Sequence, residues 1–158
     1  MNSSIAEHSE FLDSVQIPMR LACRTESGWP VVVSLWYLYE DGKLLCATGK
    51  TARVVSYLEQ DDRCGFEIAG DNPPYCGVRG QARAQLDDSR GMEVLERLLI
   101  RYLGDTDNQL ARTLLSRKDP ETAIILEPVW ISSWNFSKRM SDVAPPGFGP
   151  DQKCCPSA

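Results

Sequence analysis

The sequence predicts a mainly β domain, an antiparallel barrel with a few added helices. Three observations carry that expectation. About six segments have the apolar, β-branched character of strands. They do not alternate regularly with helical segments, which argues against a parallel α/β sheet. Asp41-Gly42, set between two apolar runs, suits a tight hairpin turn, so the strands on either side run antiparallel.

Residues 3–15 carry a weak helical stripe of Ile5, Phe11, Leu12 and Val15, which predicts a leading helix with His8 on its solvated side. Met19 to Thr25 reads as a strand, Ser27-Gly28 as a turn, and Pro30 as the start of the next strand. Val31 to Tyr39 is too apolar for one-sided alternation and predicts a strand buried on both faces. After the Asp-Gly turn, Lys43 to Thr48 forms its hairpin partner. Thr51 to Gln60 predicts a helix capped by Thr51, with Val54, Val55 and Leu58 on one side.

Arg63 to Ala69 is a further strand, and Asp71-Asn72-Pro73-Pro74 a loop. Cys76 to Leu86 reads as a long strand in which Gly77 and Gly80 predict bulges or close backbone approach. Ser89 to Leu103 is the clearest helix. Ser89 is its expected cap, Gly104 its stop, and Met92, Leu95, Leu98, Leu99 and Tyr102 its apolar face. Residues 107–117 predict a weaker helix. Thr122 to Phe136 carries the last strands, with a break or edge at Pro128. Residues 1–142 are expected to form one domain and residues 143–158 a Pro/Gly-rich tail.

A chain of 158 residues can bury a real core. Its net charge of −5 argues against nucleic-acid and anionic-membrane partners. No apolar run is as long as a membrane span and no secretion leader opens the sequence, so a cytoplasmic protein is expected. Cys23, Cys46, Cys64 and Cys76 fall in expected strands as small apolar fillers, and Cys154 and Cys155 in the tail, all as free thiols. One histidine and no Cys-x-x-Cys pair argue against a zinc site. No Ser-His-Asp or Cys-His set can be assembled around His8.

The candidate site is the bend Gly49-Lys50-Thr51-Ala52-Arg53 together with the strand ends before it. Two cations, a hydroxyl and the free N–H groups of a new helix suit an anion there. A P-loop is excluded, because the glycine it needs five residues before Gly49 is Leu44. Trp36 and Tyr37 alternate faces, so one of them at most can meet a flat ring beside that anion. A flat ring with a phosphate tail describes flavin mononucleotide (FMN). Each feature also has a plainer reading: Lys50 and Arg53 as solvated cations, Trp36 and Trp134 as core or interface aromatics.

Several segments, in order, resemble the flavin-binding split-barrel proteins related to pyridoxamine 5′-phosphate oxidase. They are Gly28-Trp29-Pro30-Val31-Val32-Val33, the run Thr48 to Leu58, Gly80-Gln81-Ala82, and Pro128 with Trp134 six residues on. The resemblance spans about Ile17 to Arg139. It implies a Greek-key split barrel, a homodimer, and FMN near the subunit interface. It implies that Val33, Ser34, Leu35 and Trp36 lie along the ring and ribityl chain. It places Ala47 and Thr48 at the ring edge and phosphate, Arg53 at the phosphate, and Trp134 near the flavin; Thr51 of the bend is expected to join them at the phosphate. Where the family commonly has a lysine after that arginine, this chain has Val54, and Lys50 is the substitute cation. Lys138 and Arg139 sit too near Trp134 for the vitamin-phosphate site of the oxidase itself. The expected activity is therefore FMN-dependent oxidoreduction of another small planar substrate, in which the cofactor carries the hydride chemistry. Two alternatives stay open: a deazaflavin-dependent reductase on the same fold, and a flavin- or haem-binding module without turnover.

Overall fold

The computed structural model describes residues 5–143. The tail expected over residues 143–158, with Cys154 and Cys155, therefore lies outside the described residues except for Val143. A 3-10 turn, Ile5–His8, leads into α1, Ser9–Ser14. The strands are β1 Met19–Arg24, β2 Pro30–Leu35, β3 Leu38–Glu40, β4 Lys43–Gly49, β5 Arg63–Ala69, β6 Cys76–Asp87 and β7 Glu121–Asn135. The remaining helices are α2 Arg53–Gln60, α3 Gly91–Leu103 and α4 Gln109–Leu115. All seven strands join one antiparallel sheet in the order β2-β1-β5-β6-β7-β4-β3.

The Asp41-Gly42 hairpin forms as expected. Both residues have positive φ, 50° and 78°, the conformation such a turn requires. It joins β3 to β4, not one long strand to β4. The apolar run from Val31 to Tyr39 breaks at Trp36-Tyr37, where the Tyr37 N–H donates to the Tyr102 hydroxyl instead of to a sheet partner. β2 is an edge strand that pairs with β1 alone. It shows simple alternation, with Val31, Val33 and Leu35 turned toward the core and Val32 and Ser34 exposed. Two-sided burial is found instead on β4 and β7. Leu44, Cys46, Ile124 and Leu126 fill the barrel, while Leu45, Ala123 and Ile125 pack against Val94 and Leu98 of α3.

Gly77 and Gly80 mark close backbone approaches on β6. A Cβ on Gly80 would lie 2.4 Å from the Trp130 carbonyl oxygen, and one on Gly77 would lie 2.7 Å from that of Ile68. The β6–β7 register shifts between Gln81 and Ala82, opposite Trp130 and Pro128, so Pro128 marks an irregularity within one bent strand.

Helix starts depart from the expectation. α2 begins after Ala52 without a side-chain cap, and Thr51 is exposed. α3 begins after Arg90, because the Ser89 hydroxyl bonds Asp87 Oδ1 at 2.6 Å in the preceding turn. Gly104 does end α3, at φ 86°. Met92 is exposed, and Val94 takes its expected place on the buried face. α4 is capped by Asn108, whose side chain accepts from the Ala111 N–H at 2.9 Å. His8 is buried, not solvated, and burial lowers its pKa. Cys23, Cys46 and Cys64 are buried free thiols, whereas Cys76 is disulfide-bonded, contrary to expectation. Among the described residues, no helix is long and apolar enough to cross a membrane, and no cluster of His, Cys, Asp or Glu could hold a metal.

Candidate functional site

The β4–β7 ladder builds the site. It pairs Ala47 with Ala123, Thr48 with Thr122 and Gly49 with Glu121, and just beyond it the Lys50 N–H donates to the Pro120 carbonyl at 2.8 Å. The end of β2 arrives alongside. The two strand ends open onto one cleft of about 200 Å³ lined by Ser34, Leu35, Trp36, Ala47, Thr48 and Gly49. Leu95 and Leu98 of α3, Leu114 of α4, Arg117 and Glu121 complete its walls. Five residues singled out from the sequence therefore meet: Ser34, Leu35, Trp36, Ala47 and Thr48.

The other candidates lie elsewhere. Val33 packs against the barrel core. The Lys50 ammonium is held by the Asp88 carboxylate, which raises the lysine's pKa and lowers the aspartate's. Arg53 is exposed and, among the described residues, forms no ion pair. It lines a separate groove of about 470 Å³ with Trp29, Ser56 and Tyr57 that shares no lining residue with the cleft. The groove lies at the uncapped start of α2, so an arginine and free helix N–H groups are found together there. Trp134 is half-buried and carries the Arg79 guanidinium 5.4 Å over its ring.

Trp36 is a cleft wall with one face already taken. Its ring stacks on Tyr102, centroids 4.9 Å apart and 7° from parallel. Tyr37 is fully buried, and its hydroxyl donates to the Leu12 carbonyl at 2.8 Å. Burial therefore raises the Tyr37 pKa, and the residue cannot face a ligand.

The charged groups that do line the cleft, Arg117 and Glu121, escaped the sequence reading. Glu121 is 3 % exposed, and its Oε1 has no hydrogen-bond partner among the described residues. Arg117 Nη1 stops 4.0 Å away. Burial pushes the Glu121 carboxyl above its ordinary pKa, against the pull of Arg117. α3 reinforces the position: Gly91 lies so close to the Glu121 backbone that a Cβ there would be 2.0 Å from its carbonyl oxygen. The one available signal was an acidic residue opening the apolar run Ala123–Leu126, which by itself points to no site.

A split barrel with a cleft at its strand ends defines the class of fold, and comparison with solved structures agrees. A conserved hypothetical protein from Mycobacterium tuberculosis superposes with a TM-score of 0.71 at 19 % identity, over 94 % of each chain. An F420 reductase gives 0.63 at 15 % identity, over 78 % of this chain and 94 % of that one. A proposed pyridoxamine 5′-phosphate oxidase from Listeria innocua gives 0.59 at 15 % identity, over 78 % and 92 %. The chain thus has the split-barrel fold of the pyridoxamine 5′-phosphate oxidase type. No protein-family model matches the sequence, and no curated protein does.

Proposed function

We propose that this protein is an oxidoreductase that uses FMN, or a deazaflavin in its place, on a small planar substrate. One observation carries the reading: the strand ends Ser34–Trp36 and Ala47–Gly49 converge on a single cleft that has leucines, a guanidinium and a buried carboxyl in its walls. The residues fit a flat ring with a polar edge. Leu95, Leu98 and Leu114 exclude water from it, and Thr48 and Arg117 supply polar contacts. Arg53, which forms no ion pair among the described residues, opens α2 four residues after Gly49 of the cleft and suits the anionic tail. When bound, such a cofactor supplies the hydride chemistry; the chain supplies position, dryness and charge. Similarity to an F420 reductase supports keeping the deazaflavin alternative.

The cleft is smaller than the roughly 300–1,000 Å³ of ordinary ligand pockets. A homodimer is part of this reading: Trp29, Val32, Val129 and Trp130, none of which lines the cleft, are exposed and supply an apolar surface for a second copy of the chain.

The test is to purify the full chain, denature it, and identify any released chromophore by mass. FMN or a deazaflavin is expected. The apoprotein is then titrated with FMN by fluorescence quenching, where Arg53→Ala weakens binding about tenfold, the worth of one charge-assisted hydrogen bond. A colourless protein that binds neither cofactor would refute the reading. Binding indifferent to Arg53 would remove its phosphate role.

A further inference from the structure

Among the described residues, Glu121 is the only buried acid. A carboxylate oxygen shut away from water normally has a donor, because losing hydration without replacement is costly. Among the described residues Oε1 of Glu121 has none, and Arg117 Nη1, at 4.0 Å, stops outside hydrogen-bond range. The oxygen is not an accident of a loose loop: Glu121 is paired with Gly49 in the central ladder and backed by Gly91 of α3. The residue Glu121 lines the cleft, as does Arg117, whose side chain is half exposed.

An acceptor and a guanidinium side by side in the lining of one cleft match an edge that presents N–H next to C=O. We infer that Glu121 and Arg117 read such an edge, the cyclic imide of a fused aromatic ring, with the N–H donating to Glu121 Oε1 and a flanking carbonyl accepting from Arg117. The inference rests on the proposed function, since FMN and deazaflavins both carry that imide, and deepens it by assigning recognition of the ring to two residues that the sequence did not single out. In this assignment Glu121 binds and orients the ring through its acceptor oxygen, so glutamine, which keeps an acceptor of the same shape, can replace it and leucine cannot.

The experiment uses three probes on the full chain: lumichrome, which has the tricycle and imide but no phosphate tail; its N3-methyl derivative; and FMN. Each is titrated by fluorescence against wild type, Glu121→Gln and Glu121→Leu, and the melting temperature of each ligand-free protein is recorded. Wild type is expected to bind lumichrome about tenfold tighter than the methylated probe, the worth of one hydrogen bond. Glu121→Leu abolishes that difference, Glu121→Gln stays within about threefold of wild type, and the ligand-free Glu121→Leu protein melts no lower than wild type. Equal binding of the two lumichromes by wild type, or unchanged lumichrome affinity in Glu121→Leu, would overturn the inference. Should the leucine variant misfold, the methylated probe and the glutamine variant decide alone. FMN binding that is tight but insensitive to Glu121 refutes this inference and spares the proposed function. FMN binding no tighter than lumichrome spares the inference and removes the anionic-tail contact. Failure of every probe to bind wild type removes both.

Discussion

Gly91→Ala is the sharpest test of how α3 is set against the cleft. An added Cβ would lie 2.0 Å from the Glu121 carbonyl oxygen, 2.3 Å from its carbonyl carbon and 2.7 Å from the Thr122 nitrogen. All three are backbone atoms of β7 where Glu121 and Thr122 pair with Gly49 and Thr48 of β4, one residue before the β6 pairing begins at Ala123, and they cannot give way cheaply. The start of α3 must retreat by about 1.4 Å to restore an ordinary 3.4 Å contact. Overpacking of this kind costs about 3 kcal/mol at its upper end. Alanine recovers roughly 0.5–1 kcal/mol through its better helix propensity. The net loss is therefore about 2 kcal/mol, and a domain of this size melts about 2–4 °C lower per kcal/mol. Differential scanning calorimetry should find the variant about 4–8 °C below wild type. An unchanged or raised melting temperature would mean that α3 does not touch the β7 backbone as described, and the cleft wall built on that contact would go with it.

Tyr37→Phe removes a donor from the buried Leu12 carbonyl, which keeps a bond from Arg101 at 2.9 Å, so the cost should be near the mean of about 1 kcal/mol, measured by urea unfolding. Glu121 makes stability depend on pH with a definite sign. Its folded pKa lies above the unfolded value, so the penalty is absent below the unfolded pKa and grows as pH rises through the folded one. Wild type should therefore lose melting temperature relative to Glu121→Gln between pH 4 and pH 8, and a gap that stays constant would contradict the shift. Burial pushes the Cys64 thiol up to about 12 and those of Cys23 and Cys46 upward as well, so none of the three should react with a thiol reagent until the protein unfolds. Rapid native labelling at any of them would show that the barrel opens locally.

The fold was largely legible because its signals are local. Asp41-Gly42 needs positive φ at both positions and specifies a hairpin by itself. Gly80 reports a backbone crowded by Trp130 and Phe66, and Gly104 a left-handed helix end. What escaped the sequence depends on partners far along the chain. The break at Trp36-Tyr37 is held by Tyr102, 65 residues away, and no periodicity within the run announces it. Ser89 lies one residue short of the helix start: its hydroxyl donates to Asp87 in the preceding turn, and α3 begins after Arg90 without a side-chain cap. The candidate site divides in the same way. Ser34 to Trp36 and Ala47 to Thr48 could be chosen because the resemblance to the split-barrel family places those strand ends along a flavin. Glu121 and Arg117 reach the cleft only through the pairing of β7 with β4, and two charges four residues apart across a proline read as surface. Lys50 looked available until folding brought Asp88 beside it.

The two edges of the sheet, β2 and β3, are consecutive along the chain and separated by Trp36 and Tyr37 alone. Beside that joint, the side chains of Tyr37, Arg101 and Tyr102 grip the backbone carbonyls of Leu12, Val15 and Ile17. The leading segment thus works as a bolt across the seam. Anyone shortening the protein for crystallisation can cut up to Ile5 without touching those four bonds, whereas a start at Met19 would draw the bolt and leave the joint free to swing.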